Sequence, residues 1–250
     1  MNLIAPSFLT VICMGFVVIL ISRALDFLWA KVLPMRFLYV LIRAPGVIVH
    51  EISHVLGCLI TGARIKKVVY FSVEGGSVTY TSPKIPYIGD LIINTAPLFF
   101  LPLVLAACTW IFSEHLGCVF PPVPLHADSA DALFGLFTGI LGMFTVNLIT
   151  RFNPWFLLYL YLTLTVVLSV APSTQDIRNA AIGISIIAVA GILILWSSFP
   201  PAVSILEGIL NLVSTGFTLG LLFGIISLLI STPLAVWFMH KKIQDAGRPL

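Results

Sequence analysis

The stretch of sequence that decides the fold runs from residue 37 to residue 61 and reads FLYVLIRAPGVIVHEISHVLGCLIT. It is long enough to supply the roughly 20 mostly apolar residues that a helix needs to cross a bilayer. Three ionisable side chains, His50, Glu51 and His54, stand near its end within about one helical turn. Ionisable residues inside a membrane segment are costly and usually functional. The stretch therefore predicts a membrane helix that carries a chemical site.

The composition of the whole chain agrees with a membrane protein. Of its 250 residues, 59% are hydrophobic and 9% are charged, and the mean hydropathy is +1.11. A soluble domain carries about 25% charged residues, so an ordinary cytosolic protein is excluded, and so is a disordered chain. The net charge of +3 is too small to indicate nucleic acid as a partner. The expected surroundings are the lipid bilayer.

We predict an all-α polytopic membrane protein with about six transmembrane helices, in a single membrane-embedded domain over residues 1–250. A seventh apolar segment, 132–150, is left open as a spanning or a re-entrant segment. The expected spanning runs are 3–22, 37–61, 88–112, 155–172, 179–198 and 208–239.

Between the second and third runs the pattern changes to that of β-strands. Residues 68–81 are rich in β-branched and aromatic side chains on both sides of Glu74, Gly75 and Gly76. A glycine pair between two such stretches is typical of a hairpin turn. We therefore predict a short β-hairpin after the helix that carries the histidines.

The spacing of the two histidines indicates a zinc site. Positions i and i+4 of a helix lie on one face, so His50 and His54 can bind one Zn²⁺ ion. Glu51 stands beside them and can activate a water molecule on that ion, as in the HExxH motif. The alternative is a polar cluster that only joins helices to one another.

A catalytic zinc site normally has three protein ligands, so one more is needed. The loop after the histidine helix carries four basic residues between positions 64 and 84, which places it in the cytoplasm by the positive-inside rule. Two further crossings would return the chain to that side at Asp176, and the C-terminus would then also be cytoplasmic. Glu207 would lie on the opposite side. We therefore expect Asp176 to be the third ligand.

Two asparagines within apolar segments are further candidates. Asn94 and Asn147 can stabilise an oxyanion or hold a substrate strand, which would make them substrate-binding residues. Hydrogen bonding between membrane helices is the alternative role for such side chains.

At this point the chain resembles the site-2 protease family of intramembrane metalloproteases. The stretch 50–57, HEISHVLG, looks like the zinc helix of that family. Residues 95–98, TAPL, are similar to its Ala-Gly-Pro-Leu stretch, and Pro172 with Asp176 resembles its proline-rich segment that ends in Asp-Gly. The glycine after that aspartate is absent here, which indicates a divergent member. The resemblance covers about residues 37–180, the expected metalloprotease core.

The resemblance implies an intramembrane zinc metalloprotease that hydrolyses peptide bonds of membrane-protein or transmembrane-peptide substrates. Its cofactor would be Zn²⁺, held by His50, His54 and Asp176, and Glu51 would move the proton of the attacking water. An extended substrate could pair with the edge of the hairpin at 68–81. A hairpin that merely connects two helices is the alternative.

Two other functions are weighed against this one. A membrane protein that binds or transports zinc without protease activity would need four protein ligands in a structural site, or several sites along a path. A zinc protease of another membrane clan would use Glu207 as the third ligand, and the predicted topology speaks against it.

Overall fold

The computed structural model describes residues 4–33, 35–72, 75–121, 130–197 and 199–246 of the chain. Over these residues the chain forms seven α-helices, one π-helical segment and one two-stranded sheet. In chain order, the elements are α1 (Ile4–Val32), α2 (Arg36–Thr61), β1 (Ile65–Val69), β2 (Ser77–Tyr80), α3 (Ile88–Leu116), α4 (Ala130–Phe144), the π-helical segment (Thr145–Thr150), α5 (Pro154–Leu168), α6 (Thr174–Ser197) and α7 (Pro200–Ala246).

The predicted fold class, an all-α polytopic membrane protein with a small hairpin, is confirmed. Within the described part of the chain, five helices are long and apolar enough to cross a membrane, namely α1, α2, α3, α6 and α7. The expected number of six is not reached, because the run 155–172 forms only the 15-residue α5. At 1.5 Å per residue α5 is about 22 Å long, whereas the hydrocarbon core is about 30 Å thick. The segment 132–150 likewise forms shorter helices.

The hairpin forms where the sequence predicts it. Strands β1 and β2 are antiparallel, with Val68 opposite Val78 and Val69 opposite Ser77. The first strand begins three residues earlier than the predicted stretch, at Ile65. Gly75 adopts a φ of 113°, a conformation that only glycine adopts readily. Glu74, the first residue of the predicted turn, lies outside the described residues.

Helix α2 is enclosed by two close helix contacts. A Cβ atom on Gly57 would lie 2.8 Å from the Cα atom of Ile93 in α3. A Cβ atom on Gly46 would lie 1.9 Å from the carbonyl oxygen of Thr165 in α5. Glycine permits such close backbone approach because it has no side chain. The face of α2 that carries the histidines is therefore buried between α3 and α5.

Helix α5 runs parallel to α2. The amide of Gly46 donates to the Oγ1 of Thr165 at 3.0 Å. Four residues later in both segments, the Nδ1 atom of His50 lies next to the carbonyl oxygen of Ser169, the residue after α5. Helix α3 runs antiparallel to α2, because Gly57 lies at Ile93 while Thr61, one turn later in α2, lies at Gly89, one turn earlier in α3.

Helix α6 continues in the direction of α5. It lies antiparallel to α3, because Asn179 contacts Asn94 and Gly183 lies against Tyr87. Residues 169–173, which we call the connector, therefore interrupt two helices of the same direction. The topology predicted from the sequence has the runs 155–172 and 179–198 cross the membrane in opposite directions. That expectation is wrong, because hydropathy reports the length of an apolar run and not its direction.

The orientation of α7 also departs from the expected topology. Helix α7 lies parallel to α1, with Gly220 at Val18 and Ser231 hydrogen-bonded to Trp29. The C-terminal end of α7 therefore lies at the end of the bundle where α2 begins, and the loop after α2 lies at the other end. The prediction that this loop and the C-terminus share the cytoplasmic side does not agree with this arrangement, because α5 and α6 do not reverse direction.

Candidate metal centre

The three ionisable residues of the α2 motif are buried inside the bundle. His50, Glu51 and His54 are 9%, 6% and 6% exposed. Their rings and carboxyl group lie on the face of α2 that the contacts at Gly46 and Gly57 enclose. Burial of three polar side chains in an apolar bundle is costly unless each finds a partner.

Both histidine rings are oriented by backbone carbonyl oxygens. The Nδ1 atom of His50 lies 2.6 Å from the oxygen of Ser169 in the connector. The Nδ1 atom of His54 lies 2.8 Å from the oxygen of Ile93 in α3. A carbonyl oxygen can only accept, so each Nδ1 carries a proton and donates it. Each Nε2 atom is then free to bind a metal ion, an arrangement that is common for metal-binding histidines.

Asp176 reaches the histidines from the first turn of α6. Its Oδ1 atom lies 3.6 Å from the Nε2 atom of His54, and its Oδ2 atom lies 3.9 Å from that of His50. The sequence analysis placed Asp176 after an apolar run, whereas it is the third residue of a helix. The structure thus brings together the three residues that the sequence proposed as ligands.

A capping box with Ser173 holds Asp176 in this position. The amide of Ser173 donates to the Oδ2 atom of Asp176 at 2.7 Å. The amide of Asp176 donates in turn to the Oγ atom of Ser173 at 3.1 Å. This reciprocal pair is how a helix start satisfies its first amides. The spacing Ser-x-x-Asp at residues 173–176 is the signal in the sequence that indicates this cap.

The three donor groups fit a zinc ion. One nitrogen from each histidine and one oxygen from Asp176 lie within 4.8 Å of one another. The Nε2 atoms of His50 and His54 are 3.1 Å apart, near the roughly 3.3 Å expected for two nitrogens on one tetrahedral zinc ion. Two nitrogen lone pairs and a carboxylate would repel one another without a cation. Two nitrogens and one oxygen are also the ligand set of many catalytic zinc sites.

Glu51 lies beside this cluster under the end of the hairpin. A Cβ atom on Gly76 would clash with the side chain of Glu51, so a larger residue at position 76 would displace the Glu51 carboxyl group. Glu51 and His50 also line a cavity of about 580 Å³ between α1, α2 and the connector. The carboxyl group therefore borders a space that can admit water and a polypeptide segment.

Asn94 connects the hairpin, α3 and α6. Its amide group donates to the Tyr80 hydroxyl at 2.8 Å and to the Asp90 carbonyl oxygen at 2.6 Å. Its oxygen accepts from Asn179 at 3.3 Å. Burial raises the pKa of Tyr80 above its ordinary value, so its hydroxyl stays protonated at neutral pH. These contacts are of the kind that join membrane helices, and a substrate role for Asn94 stays a prediction.

Asn147 lies in the π-helical segment and binds the chain after α3. Its side chain accepts from the amide of Val119 at 2.9 Å and donates to the carbonyl oxygens of Val119 and Met143 at 2.7 and 2.8 Å. None of these partners belongs to the histidine cluster. Its predicted substrate role stays a prediction.

Several groups at the site were not found by the sequence reasoning. The carbonyl oxygens of Ser169 and Ile93 have no signal in a sequence, because any residue supplies a carbonyl oxygen. Glu207, the alternative third ligand, is exposed on α7 and is not part of the His50, His54 and Asp176 group.

Comparison with known protein families gives one match. Residues 17–118 match the family described as Peptidase M50B-like, which is the site-2 protease family. No curated protein and no solved structure matches the chain. The matched part contains the α2 motif, the hairpin and α3, and it ends before Asp176. The resemblance seen in the sequence is therefore confirmed over residues 17–118, where the chain is similar to the site-2 protease family.

Proposed function

We propose that this protein is an intramembrane zinc metalloprotease that hydrolyses peptide bonds of membrane-protein substrates. The observation that carries the proposal is the buried cluster of His50, His54 and Asp176, whose donor atoms lie within 4.8 Å, next to Glu51. The family match to Peptidase M50B-like supports a membrane metalloprotease. A cluster that only joined helices would not need a fourth ionisable side chain turned toward an open cavity.

The metal would be held by the two histidines and the aspartate. Zinc bound to these residues would supply Lewis-acid polarisation of the scissile carbonyl and activation of a water molecule. The chain itself contributes the orientation of the ligands, through the carbonyl oxygens of Ser169 and Ile93 and the Ser173 cap. Fixed ligands of this kind maintain a metal site in one geometry.

Glu51 would act as the general base and then as the general acid. Its carboxylate would accept a proton from the attacking water and then donate it to the nitrogen of the leaving amine. Its position in the wall of the cavity gives it access to both groups. The surrounding bundle limits the entry of other water, which strengthens electrostatic interactions within the site.

The substrate would enter the cavity as an extended segment, because the carbonyl groups of a helix are occupied by hydrogen bonds. The two-stranded sheet has no third strand among the described residues, so a free edge is available for strand pairing. Gly75 and Gly76 of the hairpin line the same cavity as His50 and Glu51. A strand added to the hairpin would therefore lie close to the catalytic groups.

We also propose that the loop after α2 faces the cytoplasm, since its four basic residues favour that side. Single cysteines at Lys66 and Gln244, in a variant without the native cysteines, would report this. A membrane-impermeant maleimide should label Lys66→Cys only from the cytoplasmic side and Gln244→Cys only from the other. Labelling of Lys66→Cys only from the outer side would contradict the assignment.

The proposed activity is tested by incubating the purified protein with a panel of single-span membrane proteins and identifying cleavage products by mass spectrometry. Glu51→Gln keeps the shape of the side chain and should lower the rate by about 10²- to 10⁴-fold while zinc stays bound. Glu207→Gln, the same change at an exposed position, should leave the rate unchanged. Cleavage by Glu51→Gln at the wild-type rate, or zinc binding without cleavage of any substrate, would contradict the proposal.

A further inference from the structure

The connector is a break in the backbone hydrogen bonding of the bundle. Between α5 and α6 the amides of Ser169 and Val170 still donate to carbonyl oxygens of α5, but the amide of Ala171 and the carbonyl oxygen of Pro172 have no backbone partner among the described residues. Such groups are tolerated at membrane depth only where other parts of the protein satisfy them. Side chains of the bundle must therefore supply hydrogen-bonding partners for the connector.

Two neighbouring residues of α1 supply these partners. The Oγ atom of Ser22, which is 1% exposed, accepts from the amide of Ala171 at 2.9 Å. The guanidinium group of Arg23 donates through Nη2 to the carbonyl oxygen of Pro172 at 3.0 Å. Neither residue lies in the metalloprotease core expected from the sequence, residues 37–180. Arg23 is part of the wall of the cavity at the site.

The same short connector holds two of the three proposed metal ligands. Just before the α1 contacts, the carbonyl oxygen of Ser169 orients His50. Just after them, Ser173 caps the helix start that carries Asp176. A displacement of the connector would therefore move the partner of one ligand and the backbone of another.

Helix α1 is itself fixed to its neighbours, so it can hold the connector in place. The indole N–H of Trp29 donates to the Oγ atom of Ser231 in α7 at 2.9 Å. Asp26 pairs with the Nε atom of Arg43 in α2 at 3.3 Å. Both contacts follow Ser22 and Arg23 along α1, and they connect this helix to α7 and α2.

We propose that Ser22 and Arg23 are positioning residues for the metal centre, which act by fixing the connector. This inference rests on the zinc site of the proposed function. Among the described residues, neither side chain forms a hydrogen bond or ion pair with the histidines or Asp176. Their effect would reach the metal through Ser169 and Ser173, as the effect of hydrogen-bonding partners outside the ligand set does in other metal sites.

The test is the zinc dissociation constant of the purified full-length protein, measured by competition with a chelator. Ser22→Ala and Arg23→Met should each raise this constant by about 10- to 100-fold, the range observed for such partners. Arg23→Lys should restore part of the affinity, because an ammonium group can still donate to one carbonyl oxygen. Ser185→Ala is the matched control, since it removes a serine hydrogen bond of the same length in α6 that does not reach the connector.

The outcomes separate this inference from the proposed function. Wild-type zinc affinity in both Ser22→Ala and Arg23→Met would overturn the positioning role. An equal loss of affinity in Ser185→Ala would also overturn it, because removal of any serine hydrogen bond would then explain the effect. Absence of zinc from the wild type would instead overturn the proposed function. Should Ser22→Ala fail to fold, the pair Arg23→Met and Arg23→Lys still decides, because Arg23 is exposed to the cavity.

Discussion

Helix α2 and the interrupted pair α5–α6 both contribute proposed metal ligands, but they do so in different ways. In α2, one continuous helix places His50 and His54 on one face by its own periodicity. In α5–α6, the ligand Asp176 follows a break, and its position depends on the connector and on contacts from α1. The first arrangement is local and the second is tertiary. The comparison shows that one metal site can combine two ligands placed by their spacing along a helix with a third placed by contacts between helices.

The largest effect is expected from removal of one of the two histidines that α2 places on one face. His50→Ala or His54→Ala should weaken zinc binding by more than about 100-fold, above the range for residues that only support a ligand. Equilibrium dialysis with metal analysis measures this. His115→Ala, the same change at an exposed histidine of α3, should keep wild-type zinc. Zinc binding by His54→Ala equal to that of the wild type would contradict the claim that α2 supplies two zinc ligands.

A smaller effect, on the free energy of unfolding, is expected at the contact between the two regions, where Gly46 of α2 packs against α5. A Cβ atom there would lie 1.9 Å from a backbone oxygen of Thr165, so Gly46→Ala must shift one helix. We expect a loss of about 1–3 kcal/mol in the free energy of unfolding, the usual cost of overpacking. Thermal unfolding in detergent measures the change.

The control for this variant is Gly208→Ala in α7, where nothing lies within 4 Å of an added Cβ atom. Alanine in a helix is favoured over glycine by about 0.5–1 kcal/mol, so this variant should be as stable as the wild type or slightly more stable. Gly46→Ala with wild-type stability would show that α2 and α5 are farther apart than described here.

The smallest effect is expected at the helix start of α6. Ser173→Ala removes the cap that holds Asp176 and should cost about 1 kcal/mol of stability. It should also weaken zinc binding by about 10-fold, as loss of a supporting partner does. Ser185→Ala, on the exposed side of the same helix, should change neither quantity. Unchanged zinc affinity in Ser173→Ala would mean that Asp176 does not depend on its cap.

The sequence predicts the local features of this protein well. The histidine helix follows from the length of its apolar run, and the hairpin follows from β-branched and aromatic residues on both sides of a glycine pair. Both occur near the expected positions. The class of protein follows from composition alone. Asp176 was found partly through the resemblance, and partly through a count of crossings that the structure does not reproduce.

The tertiary features were not predictable in the same way. Apolar length cannot show that α5 and α6 run in one direction, because a break and a reversal both appear as a polar interval near Pro172. The backbone oxygens that orient His50 and His54 carry no residue signature. The hydrogen bond from Arg23 to a carbonyl oxygen of the connector also has no signature in the sequence. These features depend on how helices pack, and one sequence does not record that.

The measurement that tests the account most directly is the zinc content of detergent-purified protein for the wild type, Asp176→Ala and Glu207→Ala. The arrangement of His50, His54 and Asp176 within 4.8 Å predicts about one zinc ion per chain, lost in Asp176→Ala and retained in Glu207→Ala. Zinc that is retained in Asp176→Ala, or lost in Glu207→Ala, would contradict the metal centre described here.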